Sequence, residues 1–477
     1  MTGLVDRLAK TIDGRVRTIG CERPSLSVLK VLLETAYHST LRTEEGRFIR
    51  SGITYMNPRI RPEDGPAMRR ADYPGAWPLG RQVPLTVERL VKLARAIDIW
   101  SGSIAVYGTK PSDLHIWGVI DQLVQANISL HQEGAGGFQN PGILAITTEG
   151  VGDLTVYHHG IFLGGLRGHQ LLLRENDALG AGMVGESILP YLERPAEAIA
   201  RVLGSADASV SQMGKLINAW INAVSRLCIG LRRFGTGGSF LITPSPQWNH
   251  LEVGYKFAYD RLGDAIILNV LDEEYSRESR AHIHDDGKNG FIPTHMVLES
   301  SFADTDAEDR QRELAGAVKI VTSLALVDGL VLLSPLLHVR GFGVKIGTGL
   351  QVGTVYDGAD FVRRGTKAKK IDPSRFGTRH NSILRYCRLD RGAVGVVVSQ
   401  DGHVRIVMSA GRSLVLWDNV KLLSYQPFTK TTVKLIQDWV SNHERTKRPH
   451  LGYTDTPKTL TALLRVLDEH PGRARGV

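Results

Sequence analysis

From Met213 to Leu231 an apolar residue returns every third or fourth position. Met213, Leu216, Ile217, Trp220, Ile221, Val224, Leu227, Cys228 and Leu231 therefore share one stripe of a helix. Arg232-Arg233 closes the stripe with the charge that a helix C-terminus favours. A glycine-rich turn, Gly235-Thr236-Gly237-Gly238, follows, and then an apolar strand from Ser239 to Thr243. A helix with so continuous an apolar face has to bury it in a core, and the strand that follows it adds a sheet to that core. This constrains the region to helices packed on a sheet, an α/β (α+β) class. The 42% of apolar and 22% of charged residues agree, since such a composition excludes wholesale disorder. A chain of 477 residues has room for several domains and for a core that needs no staples.

The three cysteines, Cys21, Cys228 and Cys387, stand far apart and form neither a disulfide framework nor a paired zinc motif. They fit a reducing compartment. The net charge of +9 suits a polyanionic partner: a nucleotide, a nucleic acid or an acidic membrane surface. The longest apolar stretch, Ala317 to Leu337, contains Lys319 and Asp328-Gly329 and ends beyond Pro335. An unpaired Asp is costly inside a bilayer. The stretch reads as a helix running into a strand, so no membrane partner is expected. Residues 1 to 15 lack the apolar core of a secretory signal. The reading is a cytoplasmic protein.

The periodicities predict three regions: an N-terminal α+β region of unknown role over 1–180, a larger domain over 181–430, and a helical tail over 431–477. In the first, helices are expected over 24–38 and 86–98. Strands are expected over 47–55, 103–107, 114–120, 142–147, 153–157 and 161–166, with a surface loop from Asn57 to Pro84. In the second, a helical region covers 186–233 and a helix covers 308–326. Strands follow at 330–334 and 338–346, then a polar, basic stretch over 347–376. A hairpin spans 393–408 and turns at Asp401-Gly402. The tail is expected to hold helices near 432–443 and 457–468.

Three short motifs carry chemistry. Gly377-Thr378-Arg379-His380 precedes a helical pattern, with Thr378 as the expected N-cap. A helix N-terminus offers backbone N–H groups and positive dipole to a phosphate. Arg379 adds a bidentate partner, and His380 can donate to phosphate or ligate a metal. Val327-Asp328-Gly329-Leu330 sits at a helix-to-strand junction, where Asp328 is either a turn former or a functional carboxylate. Val396-Val397-Val398-Ser399-Gln400-Asp401-Gly402 is a buried strand with a polar end. Other clusters are better explained as ordinary structure: His282-Ile283-His284-Asp285-Asp286 as a solvated loop, His158-His159 as a hairpin turn, Gly134-Ala135-Gly136-Gly137 outside any strand–helix context, and the basic run 363–370 as a loop.

The order of these motifs resembles the diadenylate cyclase domain over roughly residues 206–425. That family has a Gly-Ala-Leu-Ile strand, Asp-Gly-Ala opening a strand, Gly-Thr-Arg-His-Arg opening a helix, and a Val-Val-Ser-Glu strand end. The chain looks closest to the divergent relatives called DACNV, described as probable nucleotide sensors in bacteria. The first 200 residues match no family by motif. The resemblance implies a mixed central sheet flanked by helices. It also implies that Asp328 lies at the ribose 3′-hydroxyl and helps bind Mg²⁺ or Mn²⁺. Gly329 and Leu330 would contact adenine through the backbone. Gly377, Thr378 and Arg379 would hold the phosphates, His380 would contact phosphate or metal, and Ser399 would lie beside the phosphates. Asp328 and His380 would be the catalytic pair if the chain turns ATP over. In active members two domains meet face to face, so a homo-oligomer is implied.

Three positions depart from the family pattern: Asn381 replaces an arginine, Gln400 a glutamate and Leu330 an alanine. The lost arginine weakens transition-state charge stabilisation more than it weakens binding. The sequence reading is therefore a sensor of an adenine nucleotide or cyclic dinucleotide that acts on a protein partner. The alternatives are an active diadenylate cyclase and a nucleic-acid-binding protein.

Overall fold

The structure is a computed structural model. It describes residues 2–19, 23–59, 75–99, 102–121, 144–158, 161–180, 182–204, 209–245, 248, 250–287, 294–347, 351–400 and 402–422. The expected tail helices, Cys21, Gly134 to Gly137 and Asp401 lie outside them. The fold is mixed α/β, as the sequence predicts, and the chain divides into two compact units, Met1–Glu175 and Asn176–Val477.

The first unit opens with helices α1 (Thr2–Ile19) and α2 (Leu26–Thr40) and carries α3 (Val87–Ala94). Ser25 and Thr86 cap α2 and α3 by accepting the N–H of Val28 and Arg89. A ribbon of β1 (Thr43–Glu44) and β2 (Arg47–Phe48) precedes β3 (Ser51–Tyr55). The remaining strands are β4 (Gly75–Pro84), β5 (Gly102–Tyr107), β6 (His115–Asp121), β7 (Leu144–Thr148), β8 (Asp153–His158), β9 (Ile161–Arg167) and β10 (Gln170–Leu172). From β3 onward they form one eight-stranded sheet in the order β10-β9-β8-β7-β3-β5-β6-β4. Leu8, Ile12, Leu29, Leu32 and Leu33 pack with Ile53, Ile104, Ile116 and Ile146 to make its core. One expectation changes here, and one helix that was not expected appears. The segment 57–84, read as a loop for its prolines, ends in β4, which pairs with β6 and is bulged between Pro78 and Val83. Residues 2–19 form a helix that buries Val5, Leu8, Ala9, Ile12 and Val16.

The second unit begins with α4 (Met183–Val202) and α5 (Ser209–Phe234), the helix that bears the apolar stripe. Strands β11 (Gly238–Ile242) and β12 (Leu251–Tyr259) lead to two long helices, α6 (Arg261–Gly287) and α7 (Thr294–Leu324). After them come β13 (Leu330–Leu333), β14 (Val339–Ile346), β15 (Val355–Asp357), α8 (Gly358–Arg364), β16 (Lys370–Ile371) and α9 (Thr378–Leu389). The last described strands are β17 (Val394–Val398), β18 (Val404–Ala410) and β19 (Ser413–Trp417). All nine strands form one sheet in the order β12-β14-β13-β11-β17-β18-β19-β15-β16.

Alternation along the central strands separates two cores. Phe240, Ile242, Val331, Leu333, Val396 and Val398 face α5, α6 and α7, where every stripe residue from Met213 to Leu231 is buried. Leu241, Leu332 and Val397 face the other way, against Ile383, Leu384 and Cys387 of α9. Helices on both faces and apolar runs in the central strands define a three-layer sandwich. The stretch 244–307, with no readable pattern, holds β12, α6 and much of α7. His282 and His284 fall in α6 rather than in a loop. The polar stretch 347–376 is also more ordered than expected. Asp357 caps α8, and Asp360 pairs with Arg363 and Arg364 of the basic run. His158, expected in a turn, is fully buried at the end of β8. Cys228 and Cys387 are buried free thiols, and burial pushes the Cys228 thiol up to about 12. Among the described residues no helix is long and apolar enough to cross a membrane.

Candidate functional site

The three motifs meet at one edge of the nine-stranded sheet. β11 and β13 run parallel, with Phe240 opposite Val331. Continued two residues back, that register sets Gly238 beside Gly329, so both strands start at the same edge. β17 runs antiparallel to β11, and its last residue, Val398, pairs with Gly238. Asp328, Gly237 and Ser399 therefore stand at the mouths of three neighbouring strands, which lie about 4.8 Å apart.

Arg379 reaches this mouth from α9. Its Nη1 lies 2.5 Å from the point that a Cβ on Gly237 would occupy. Glycine is what lets the guanidinium approach the backbone so closely. Arg379 is half-buried and makes no hydrogen bond or ion pair with the described residues. Arg232, at the end of α5, approaches Gly402 in the turn beyond β17 and brings a second positive charge toward the same edge.

The N-cap of α9 is Gly377, not Thr378, and no side chain caps the helix. Gly377 holds extended backbone (φ −70°, ψ 176°), so Thr378 is already the first helical residue and its hydroxyl is exposed. The first backbone bond of the helix runs from the Asn381 N–H to the Gly377 carbonyl. The N–H groups of residues 378 to 380 are thus left for a ligand or water. The Asn381 side chain does not replace in kind the arginine of the diadenylate cyclase pattern. Its Nδ2 donates to the Phe376 carbonyl at 2.7 Å and ties down the chain leading into α9.

Asp328 follows α7 through a turn in which the N–H of Val327 reaches the Leu324 carbonyl. The carboxylate is exposed and bonds to no described residue, so it does not form the turn. Gly329 has φ +115°, and a Cβ there would lie 2.6 Å from the Gly343 carbonyl carbon. Both the angle and the space require glycine at this position. Leu330 is buried, with its side chain on the α9 face of the sheet. Ser399 closes the β17–β18 turn. Its N–H donates to the His403 carbonyl at 2.9 Å, and its hydroxyl takes the His403 N–H at 3.1 Å. Gly402 sits in this turn as expected, its N–H donating to the Ser399 carbonyl at 2.9 Å.

His380 turns away from the mouth. It is 9% exposed, stacks on Phe376 at 5.5 Å, and its Nε2 takes a hydrogen bond from Arg405 Nη1 at 3.0 Å. Arg405 also pairs with Asp418 at 3.1 Å, and Asp418 lies 3.8 Å from His403 Nδ1. Burial and the neighbouring Arg405 push the His380 pKa down to about 4. Burial raises the Asp418 carboxyl, but His403 and Arg405 outweigh it and hold it near 2. Motif reading missed Arg405 and Asp418. The signal for Arg405 is the pattern His403-Val404-Arg405, two polar residues at strand spacing inside an apolar hairpin.

These positions decide what a divalent metal could use. Mg²⁺ carried on nucleotide phosphates takes one or two protein carboxylates, and the unengaged Asp328 fits that role. His380 does not fit. An arginine can only donate, so Nε2 is the acceptor, and in the neutral ring Nδ1 then carries the proton. Among the described residues no three of His, Cys, Asp and Glu are grouped to hold a metal by themselves. The metal would neutralise phosphate charge. A separate cavity of about 340 Å³ is lined by Asp272, Asp306, Asp309, Arg310 and Glu313, with Arg310 paired to Asp272 and Glu313.

Compared with known families, residues 21–121 match the family described as probable sensor domain DACNV. The match lies wholly in the first unit, within the stretch whose motifs identified no family. No curated protein matches the chain.

Proposed function

We propose that the second unit binds an adenine nucleotide or cyclic dinucleotide at this sheet edge, and that the chain couples this binding to the sensor-like first unit. Arg379 and the uncapped N-terminus of α9 hold the phosphates. The backbone of Gly329 and Leu330 meets the base, and Asp328 faces the ribose and any phosphate-borne Mg²⁺. The observation that carries the reading is Arg379: a half-buried guanidinium set against Gly237, unpaired among the described residues, at the mouth where Asp328 is also unengaged. A cationic group so placed beside free helix N–H groups is suited to a phosphate. The motif order shared with diadenylate cyclases supports the adenylate, and the DACNV match of residues 21–121 supports a sensing role.

Turnover to cyclic di-AMP is the second reading, favoured by the exposed carboxylate of Asp328. It is opposed by Asn381, which is engaged on Phe376, and by His380, which burial and Arg405 hold neutral. Incubating the full chain with ATP and Mg²⁺ or Mn²⁺ separates the two. Binding without product supports the sensor. Product that disappears in Asp328→Ala establishes the enzyme. The net charge of +9 by itself does not choose among polyanions, and steeply salt-dependent duplex binding would be needed to favour a nucleic-acid role.

A further inference from the structure

β12 lies at the outside of the nine-stranded sheet and among the described strands pairs with β14 alone. Its sequence is Leu251-Glu-Val-Gly-Tyr-Lys-Phe-Ala-Tyr259. Tyr255 is 57% exposed and Phe257 36% exposed. A nine-residue outer strand whose outer backbone groups pair with no other described strand, and whose aromatics are exposed, is a template for another strand. The His250 carbonyl accepts the Gly347 N–H, so even-numbered residues turn their backbone groups toward β14. The alternation of antiparallel pairing then turns those of Val253 and Tyr255 outward.

We infer that this edge joins two copies of the chain, β12 pairing antiparallel with β12 about Gly254. Charge selects this occupant and this register. Centring on Gly254 sets Glu252 of one copy opposite Lys256 of the other, and the two-fold symmetry repeats the pair. It also sets Val253 opposite Tyr255. Shifting the register by one or two residues in either direction places Glu252 against Tyr255, Phe257, Ala258 or Gly254, all uncharged. Glu252 and Lys256 fall at the close, non-hydrogen-bonded positions, where side chains lie nearest across the strands. A lysine alone would only protect an edge. An acid and a base spaced equally about a glycine make the edge self-complementary.

The test is the oligomeric state of the full chain across a concentration series, by light scattering after gel filtration. A concentration-dependent dimer is expected. Glu252→Lys or Lys256→Glu places like charges opposite each other twice, and each should raise the dimer dissociation constant roughly 10- to 100-fold. The double variant Glu252→Lys/Lys256→Glu rebuilds both pairs with signs exchanged and should dimerise as the unaltered chain does. Both side chains are exposed, and thermal melting of each variant checks folding. Hydrogen exchange gives a reading without mutation: the Val253 and Tyr255 amides should slow as concentration rises. A monomer at all concentrations, a dimer indifferent to either single reversal, a double variant no better than the singles, or amide exchange independent of concentration would each overturn the inference.

Discussion

Arg379 rests its guanidinium against the backbone of Gly237, with Nη1 2.5 Å from where a Cβ would stand. The contact joins two motifs that are far apart in sequence and sets a positive group of α9 at the sheet edge. Any side chain at Gly237 must displace Arg379, and it would also press on the Val398 carbonyl at 2.9 Å. Gly237→Ala should lose about 1–3 kcal/mol of stability and lose the stabilisation given by nucleotide. Differential scanning fluorimetry with and without ATP measures both.

Asp328 should behave in the opposite way. Its carboxylate is exposed and bonds to no described residue, so Asp328→Ala should leave the ligand-free melting temperature within about 1 °C, a surface-scale effect. The Mg²⁺ dependence of nucleotide binding should weaken, which titration calorimetry with and without Mg²⁺ would record.

His380 predicts a pH dependence. Its folded pKa, about 4, lies below the ordinary 6.5 because burial and Arg405 oppose the charged ring. The unfolded chain therefore takes up a proton first as pH falls. The contribution of His380 is complete above pH 6.5 and is lost between 6.5 and about 4. The full effect is on the order of 3 kcal/mol. Asp418, held near 2, loses its own contribution lower, between 3.8 and 2. Urea unfolding at a series of pH values should show the upper decline, and His380→Phe should flatten it.

Asn381 is a structural residue in this account. Asn381→Ala removes the bond to the Phe376 carbonyl and should destabilise the fold by about 1 kcal/mol. Nucleotide affinity should change less than in Arg379→Ala, and the two variants compared in one titration would show it.

Much of this fold was readable because burial imposes a period. The stripe from Met213 to Leu231 is buried as its spacing requires, and Val396-Val397-Val398 is a two-faced central strand. β12 was not readable. It is an outer strand with most residues exposed, so solvent imposes no alternation on it. The end of α7 was readable as the helix expected over 308–326, but α6 and the first half of α7 were obscured because charges run around much of their surfaces, through Asp272-Glu273-Glu274 and Asp304 to Asp306. At the site, the helix start was displaced by one residue: Gly377 takes the extended cap position without a side-chain bond. The inward turn of His380 could not be read from its motif. It depends on Arg405 and Asp418, which are distant in sequence and brought near by the β17–β18 hairpin and the strand after it.

The most direct test of the account is the melting temperature of the full chain against ATP and cyclic di-AMP, for the unaltered protein and for Arg379→Ala. The unaltered protein should be stabilised by at least one of these ligands, by about 3 kcal/mol at a hundredfold excess over its dissociation constant. Arg379→Ala should melt at the same ligand-free temperature and gain nothing from the ligand. A variant that still responds fully, or one that already melts far lower without ligand, would contradict the assignment of Arg379 as the phosphate group of this site.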